Sequence, residues 1–158
     1  MSNQSIKIIY ASTSGNVEVV CDTVAEFLKE KGIESELFRS EQTSIDLIRE
    51  NSLFLFATST WENGTLNPFY MKLYKEMNEL DLTGKRAGFI GLGDIRYEPV
   101  LFCAGLDVLK KRFTEKGGEE IHVNLKLNGD PYEFLDTVVK IWVDNFIKVL
   151  NKENDSKK

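Results

Sequence analysis

The chain has 158 residues, of which 42% are hydrophobic and 11% aromatic, and these values predict one globular domain with a substantial buried core. Its formal net charge of −5 disfavours nucleic acid and anionic membranes as partners. The chain has one histidine and two cysteines, Cys21 and Cys103, and the cysteines do not form a Cys-x-x-Cys pair. Neither a zinc nor an iron–sulfur ligand set can therefore be assembled.

The first predicted strand, Ile6–Ala11, is a short apolar run of the kind that parallel sheets bury on both faces. Lys7 interrupts it, and it is too short for the hydrophobic region of a signal peptide, so we expect a cytoplasmic protein. An amphipathic helix follows and stops at Gly32. Its apolar face consists of Val17, Val20, Cys21, Val24 and Leu28.

The loop between this strand and helix is rich in hydroxyl groups. It consists of Ser12, Thr13, Ser14, Gly15, Asn16 and Val17. A helix start leaves backbone N–H groups unpaired and carries about half a positive charge, so an anion such as phosphate fits there. Unlike the ATPase phosphate loop, the stretch from Ile8 to Val24 holds no Lys or Arg, which argues against nucleoside triphosphate chemistry. The alternative is an ordinary turn whose Ser and Asn side chains only cap the helix.

The middle of the chain predicts two more strands, each followed by a helix. Residues 33–39 alternate as an edge strand, and a short helix capped at Thr43 follows them. Residues 53–57 form the most apolar run and are predicted to be a central strand. Asn67 and Pro68 then begin a helix. Its buried face consists of Phe69, Leu73, Met77 and Leu80.

The last third of the chain predicts strands at residues 86–92 and 121–127, separated by a helix that ends at Gly117. In the fifth strand, Ile121, Val123, Leu125 and Leu127 are expected to face the core. His122 is then expected on the surface face, where it is neither a ligand nor a base.

A final helix is predicted to start with the capping box Asp130-Pro131-Tyr132-Glu133. Its core stripe consists of Leu135, Val138, Val139, Trp142, Phe146 and Val149. We expect a single domain over residues 1–150 and a frayed polar tail over residues 151–158.

Five strands that alternate with five helices imply an α/β fold, in which helices cover both faces of a parallel sheet. In such sheets ligands bind beyond the carboxyl ends of the strands, at the point where the strand order reverses. Three loops share that edge here, at residues 12–17, 58–67 and 93–99.

Two of these loops carry an aromatic residue. Trp61 follows the central strand and Tyr97 follows the next strand, so the two rings can stack on opposite faces of a flat ligand. The alternative is that each ring only covers the end of the sheet. A phosphate loop and two aromatic residues on one edge favour the ligand.

With these motifs, the chain from Ile6 to about Leu150 resembles the flavodoxin family, specifically its short-chain branch. Residues 12–16 are similar to the family's phosphate loop, Ser59-Thr60-Trp61 to its first flavin loop, and Gly91-Leu92-Gly93-Asp94 with Tyr97, Phe102 and Cys103 to its second. This family is itself the standard example of strand order 2-1-3-4-5 with flavin mononucleotide (FMN) at the switch point, so the three-layer flavodoxin-like fold and the ligand position follow from the resemblance.

The resemblance implies a set of FMN-binding residues on the three loops. They are Ser12, Thr13, Ser14, Gly15, Asn16, Val17, Ser59, Thr60, Trp61, Glu62, Asn63, Gly64, Leu92, Gly93, Asp94, Tyr97, Phe102 and Cys103. No metal ligand and no catalytic residue is among them.

The implied function is that of a low-potential one-electron carrier, which cycles non-covalently bound FMN between semiquinone and hydroquinone and is not an enzyme. We expect a monomer whose partners are redox proteins, such as flavodoxin reductases and oxidoreductases, that dock at the exposed flavin edge.

Two alternatives stay open: an FMN-dependent reductase of quinones or similar small acceptors, and a specialised flavoprotein that activates a radical enzyme. A phosphoacceptor receiver is disfavoured, because Ala11-Ser12 and Thr58-Ser59 stand where it needs acidic residues.

Three positions depart from the family's usual pattern. Val17 stands where a Thr is usual, and the missing hydroxyl is expected to weaken phosphate binding by about 1 kcal/mol. Glu62 stands where several relatives carry Gly, so peptide rotation toward a reduced flavin meets more resistance. Arg96 adds a cation that is expected to raise the potential of the semiquinone/hydroquinone couple.

Overall fold

The computed structural model describes residues 5–61, 64–94 and 102–156, which form one sheet with helices on both faces. The strands are β1 (Ile6–Ala11), β2 (Ser35–Arg39), β3 (Leu53–Trp61), β4 (Thr65–Leu66), β5 (Arg86–Gly93), β6 (Glu119–Glu120) and β7 (Leu125–Asn128). The α-helices are α1 (Asn16–Glu30), α2 (Ile45–Glu50), α3 (Met71–Met77), α4 (Ala104–Glu115) and α5 (Lys140–Ser156).

The main sheet is parallel and has the order β2-β1-β3-β5, with β6 and β7 both pairing with β5. This confirms the α/β fold and the predicted 2-1-3-4-5 arrangement, with two differences. Residues 121–124 divide the fifth strand into β6 and β7, and the short β4 pairs antiparallel with the end of β3. Across the described residues, the sheet therefore has seven strands instead of the predicted five.

The two faces of the sheet are buried in separate apolar layers. In β1, Ile6 and Ile8 pack in the layer of α1 and α5, whereas Ile9 and Ala11 pack in the layer of α3 and α4. This alternation explains why β1 is apolar at nearly every position and why the first five residues of β3 are all apolar. The predicted stripe of α1 is confirmed, because all five of its residues, including Cys21, are buried.

The break between β6 and β7 changes which side chains face the core. Val123 was expected inside but is 70% exposed, and His122 turns inward instead. The His122 ring lies 5.2 Å from the Trp142 ring, and the Trp142 Nε1–H donates to the Val123 carbonyl at 2.7 Å. The prediction for this pair was wrong because residues 121–124 leave the ladder, so the two-residue alternation does not continue across them.

The segment leading into α5 also differs from a regular helix. Asp130 caps it as predicted, since its side chain accepts a hydrogen bond from the Tyr132 N–H at 2.9 Å. A 3₁₀ turn (Pro131–Phe134) and a π-helical turn (Leu135–Val139) then precede α5. Because these turns shift the helical phase, Val138 is 43% exposed although Val139 and Trp142 are buried as predicted.

Helix α5 continues to Ser156, whereas the sequence predicts fraying from Asn151. The Glu153 carboxylate pairs with the Arg86 guanidinium at the start of β5. This ion pair is partly buried and ties the last turns of α5 to the sheet, which accounts for the longer helix.

Two residues near α2 and α3 differ by one position from the prediction, whereas the predicted start at Asn67 and Pro68 is confirmed. Ser44, not Thr43, caps α2 and accepts from the Asp46 N–H at 3.2 Å, because the Thr43 hydroxyl donates to the Arg39 carbonyl at 2.6 Å. Before α3, Tyr70 takes the buried position predicted for Phe69, and its hydroxyl donates to the Ile9 carbonyl.

Within the ranges that the structure describes, no helix has both the length and the apolar character needed to cross a membrane. The same residues contain no cluster of three or more His, Cys, Asp or Glu side chains arranged to hold a metal ion.

We expect His122→Gln to reduce the loss of stability at mildly acidic pH. Burial lowers the pKa of His122 from its usual 6.5, and its Nε2 has no hydrogen-bond partner among the described residues. As the pH falls below about 6.5, the unfolded chain binds a proton that the folded chain does not, so the free energy of unfolding decreases. Urea unfolding near pH 7.5 and pH 5.5 measures this change.

The difference between wild type and His122→Gln is expected to be a fraction of the roughly 1.4 kcal/mol that one pKa unit represents, because the imidazole is only half-buried. His122→Phe serves as the control that keeps a ring beside Trp142. If both variants lose as much stability as wild type between the two pH values, His122 does not contribute to the pH dependence.

Candidate functional site

Three connections meet at the carboxyl edge of the parallel sheet. Ala11 of β1 lies opposite Thr58 of β3, and Thr58 lies opposite Gly91 of β5. The loop before α1, the β3–β4 hairpin and the segment between β5 and α4 therefore start side by side. This is the edge where the sequence predicts a ligand.

Ser12 fixes the conformation of the first loop. It is buried, and its Oγ accepts hydrogen bonds from the N–H groups of Gly15 at 3.1 Å and Glu18 at 3.4 Å. Gly15 has a left-handed φ of 92°, which turns the chain into α1 at Asn16. Ser12 therefore caps the helix, as in the interpretation of this loop as an ordinary turn. That interpretation does not explain the hydroxyl groups of Thr13 and Ser14.

The outer part of this loop offers uncommitted donors. Among the described residues, the backbone N–H groups of Ser14, Asn16 and Val17 have no acceptor. The hydroxyls of Thr13 and Ser14 are exposed beside them, and there is open space where a Gly15 Cβ would lie. The side chain of Val17 packs in the core, so Val17 offers only its N–H to a ligand. This donor set fits a phosphate group.

The second connection is a hairpin rather than the predicted loop. Strand β3 continues to Trp61, which lies opposite Thr65 of β4. Trp61 is 42% exposed, a large aromatic surface at the edge of the sheet. The Ser59 Oγ accepts from the fully buried Asn67 Nδ2 at 2.9 Å, which fixes the base of the hairpin. Glu62 and Asn63 lie outside the described residues, and Gly64 at the end of the turn is buried with a φ of 74°.

The third connection begins at Gly93 and Asp94, which are half-buried; Tyr97 and Arg96 lie outside the described residues. A Cβ on Gly93 would lie 3.1 Å from the Cys103 backbone N and 3.3 Å from the Phe102 ring, so β5 and the start of α4 are in close contact.

Leu92 and Cys103 lie beneath this edge, where both are buried. Burial raises the pKa of the Cys103 thiol to about 12, so the thiol is neutral and its role here is packing.

Sequence reasoning does not find the contact between α4 and the hairpin. The Gly105 N–H donates to the Thr60 Oγ1 at 3.1 Å, and a Cβ on Gly105 would lie only 2.8 Å from the Thr65 carbonyl oxygen. The hairpin that carries Trp61 therefore rests directly on the first turn of α4. Only the missing side chain of a glycine distinguishes this position in the sequence.

Sequence reasoning also misses a cation beside the first loop. Arg39, at the end of β2, lies opposite Tyr10, and its guanidinium carbon is 5.5 Å from the centre of the Tyr10 ring. Arg39 pairs with Glu18, and the Tyr10 hydroxyl donates to the same carboxylate at 3.1 Å. Burial and this hydrogen bond raise the pKa of Tyr10 to about 12. The first loop contains no cation of its own, but the sheet brings one from β2.

A search of protein-family models matches the model described as Flavodoxin to residues 8–142 of this chain. Among curated proteins, the flavodoxin of Maridesulfovibrio salexigens is 35% identical over 127 residues, which cover 78% of this chain and 86% of that protein.

Solved structures have the same fold. The oxidised flavodoxin 1 of Bacillus cereus matches with a TM-score of 0.82 and 25% identity, over 92% of this chain and 98% of that chain. The Fusobacterium nucleatum flavodoxin bound to flavin mononucleotide matches with a TM-score of 0.77 and 22% identity, over 92% of this chain and 98% of that chain.

We expect Gly105→Ala to destabilise the protein by about 1–3 kcal/mol, because the new methyl group would lie too close to a backbone oxygen that cannot rotate away. Urea unfolding of the ligand-free protein measures the change. Thr60→Val is the matched control: it removes the acceptor for the Gly105 N–H without adding an atom to α4, and should cost about 1 kcal/mol. A Gly105→Ala variant as stable as wild type would contradict the close contact between α4 and the hairpin.

Proposed function

The chain belongs to the flavodoxin family, and we propose on this premise that it is an electron carrier that uses non-covalently bound FMN to pass single electrons between redox proteins. The observation that carries the proposal is the donor set at residues 13–17, which lies on the same edge as the exposed Trp61 ring. When bound, FMN supplies reversible one-electron chemistry at its flat ring system. The chain's own residues bind and orient it.

The phosphate of FMN would lie at the start of α1. The N–H groups of Ser14, Asn16 and Val17 and the hydroxyls of Thr13 and Ser14 would donate to its oxygens. Ser12 would shape the loop without contacting the phosphate, because its hydroxyl oxygen already accepts hydrogen bonds from the N–H groups of Gly15 and Glu18. The positive end of the helix dipole would offset part of the phosphate charge, which suits a loop without Lys or Arg.

The flat ring of the flavin would lie against Trp61, with Tyr97 proposed for its opposite face. Ser59, Thr60 and residues 62–64 belong to the same hairpin and are proposed to meet one side of the ring. Gly93, Asp94 and Phe102 are proposed for the other side. Leu92 and Cys103 are buried under this edge and would support the loop.

The partners would be other redox proteins that approach the exposed edge of the flavin. The net charge of −5 favours partners with basic surfaces, and such complexes are weak and sensitive to salt. We also propose that the flavin has a low reduction potential and alternates between its semiquinone and hydroquinone states. A cytoplasmic location and a monomeric state stay predictions of the sequence.

We expect the purified protein to be yellow, or to become so on addition of FMN, with one FMN bound per chain. Potentiometric titration should resolve two separate one-electron steps, with the second at low potential. A colourless protein that does not bind added FMN would rule out the proposal. Rapid steady-state oxidation of NADH or NADPH by the isolated protein would favour a reductase over a carrier.

We expect Val17→Thr to bind FMN about fivefold more tightly than wild type, which corresponds to about 1 kcal/mol for one added hydrogen bond. The Thr methyl group can keep the packing of the buried Val17 side chain while its hydroxyl adds a donor to the loop. Fluorescence titration of the ligand-free protein with FMN measures the affinity. Val17→Ala is the control, since it removes both methyl groups, including the one that Thr replaces with a hydroxyl, and adds no donor. Equal or weaker FMN binding by a stably folded Val17→Thr would contradict the role given to this position.

A further inference from the structure

A negative charge lies close to the donor set of the first loop. Glu18 is in the first turn of α1, and its backbone N–H donates to the Ser12 Oγ that shapes the loop. Its backbone therefore lies within one helical turn of the free N–H groups of Asn16 and Val17, and its side chain brings a carboxylate to this end of the helix. An acidic side chain stabilises a helix start, but it repels a phosphate group bound at the same place.

The structure shows how this carboxylate is compensated. Glu18 Oε2 accepts a hydrogen bond from the Tyr10 hydroxyl at 3.1 Å and pairs with the Arg39 guanidinium. Both of these groups lie on the strand side of the helix, at the ends of β1 and β2. The carboxylate is thus held toward β2 and carries a neutralising cation.

The position of Arg39 is itself well defined. Its guanidinium packs over the Tyr10 ring and lies 3.6 Å from the Glu41 carboxylate as well as beside Glu18. The Arg39 and Glu18 side chains are each 35% exposed, so solvent still screens their pairing and limits its contribution to folding stability. We therefore expect Arg39 to act mainly on the charge beside the loop at residues 12–17, because removing Arg39 leaves Glu18 and Glu41 without a cation between them.

We propose that Arg39 is a positioning residue for the phosphate site, which acts by neutralising Glu18 and, together with Tyr10, holding its carboxylate away from the bound phosphate. This inference rests on the proposed function, since it assumes that the loop at residues 12–17 binds the phosphate of FMN. Arg39 itself does not contact the phosphate. Its effect passes through Glu18.

The test compares two ligands that differ only in the phosphate. Ligand-free protein is titrated with FMN and with riboflavin at low ionic strength, for wild type, Arg39→Gln, Glu18→Gln and the double variant. Arg39→Gln should bind FMN about three- to tenfold more weakly than wild type and riboflavin equally well, and high salt should reduce the difference. The double variant should recover FMN binding to within about twofold of wild type, because neither charge remains.

Arg49→Gln is the control, because Arg49 forms an ion pair with Asp46 on α2 that is more exposed than the Arg39–Glu18 pair and involves none of the residues 12–18. It should change neither affinity. Arg39→Lys should keep most of the FMN affinity, since it retains the positive charge.

Three results would overturn the inference. An FMN affinity of Arg39→Gln equal to that of wild type would show that the charge of Arg39 does not reach the phosphate. A double variant as weak as Arg39→Gln would show that Arg39 attracts the phosphate directly. Equal losses for both ligands would show a structural role. A wild-type protein that binds neither ligand would instead refute the proposed function.

Discussion

The parallel pairing of β1, β3 and β5 is the constraint on which the site depends. Because these strands run in one direction and in continuous register, Ala11, Thr58 and Gly91 lie side by side at one edge. The chain leaves each of these three strands at that edge, and each exit leads toward a helix or a hairpin. Apolar layers on both faces hold the strands in place, so the loops at the edge are the parts left free to bind a ligand.

Buried and half-buried polar side chains then fix the geometry of these loops. Ser12 holds the start of α1, Asn67 holds the base of the hairpin through Ser59, and Thr60 holds the first turn of α4. Each bond satisfies a group that would be costly to bury unpaired. In the first loop, the N–H groups of Ser14, Asn16 and Val17 have no acceptor among the described residues, and the Thr13 and Ser14 side chains are exposed beside them. A rigid frame with a few free donors suits a site that must hold a cofactor through repeated electron transfer.

Much of the fold can be predicted from hydrophobic period and capping residues. The buried stripe of α1, the apolar strands β1 and β3, and the caps at Asn67 and Asp130 all follow from local sequence. The break between β6 and β7 does not, because His122 and Val123 have the alternation of a regular strand. Their orientation is decided by packing against Trp142, which comes from a helix 19 residues further along the chain. The π-helical turn before α5 likewise has no local signal that would distinguish it from an α-helix.

The sequence by itself determined the chemistry of the candidate site: a loop of hydroxyls and glycine at a helix start, and an aromatic residue after the central strand. These signals are readable because the residues that make them are neighbours in the chain. Only the tertiary structure decided that Arg39 neutralises Glu18 and that Gly105 supports the hairpin through Thr60. Both contacts join residues from different elements, and their strength depends on distances and burial that no local pattern specifies. The local sequence thus supplies the hydrogen-bond donors of the loop at residues 12–17, and Arg39 of the neighbouring strand β2 supplies the positive charge that balances Glu18.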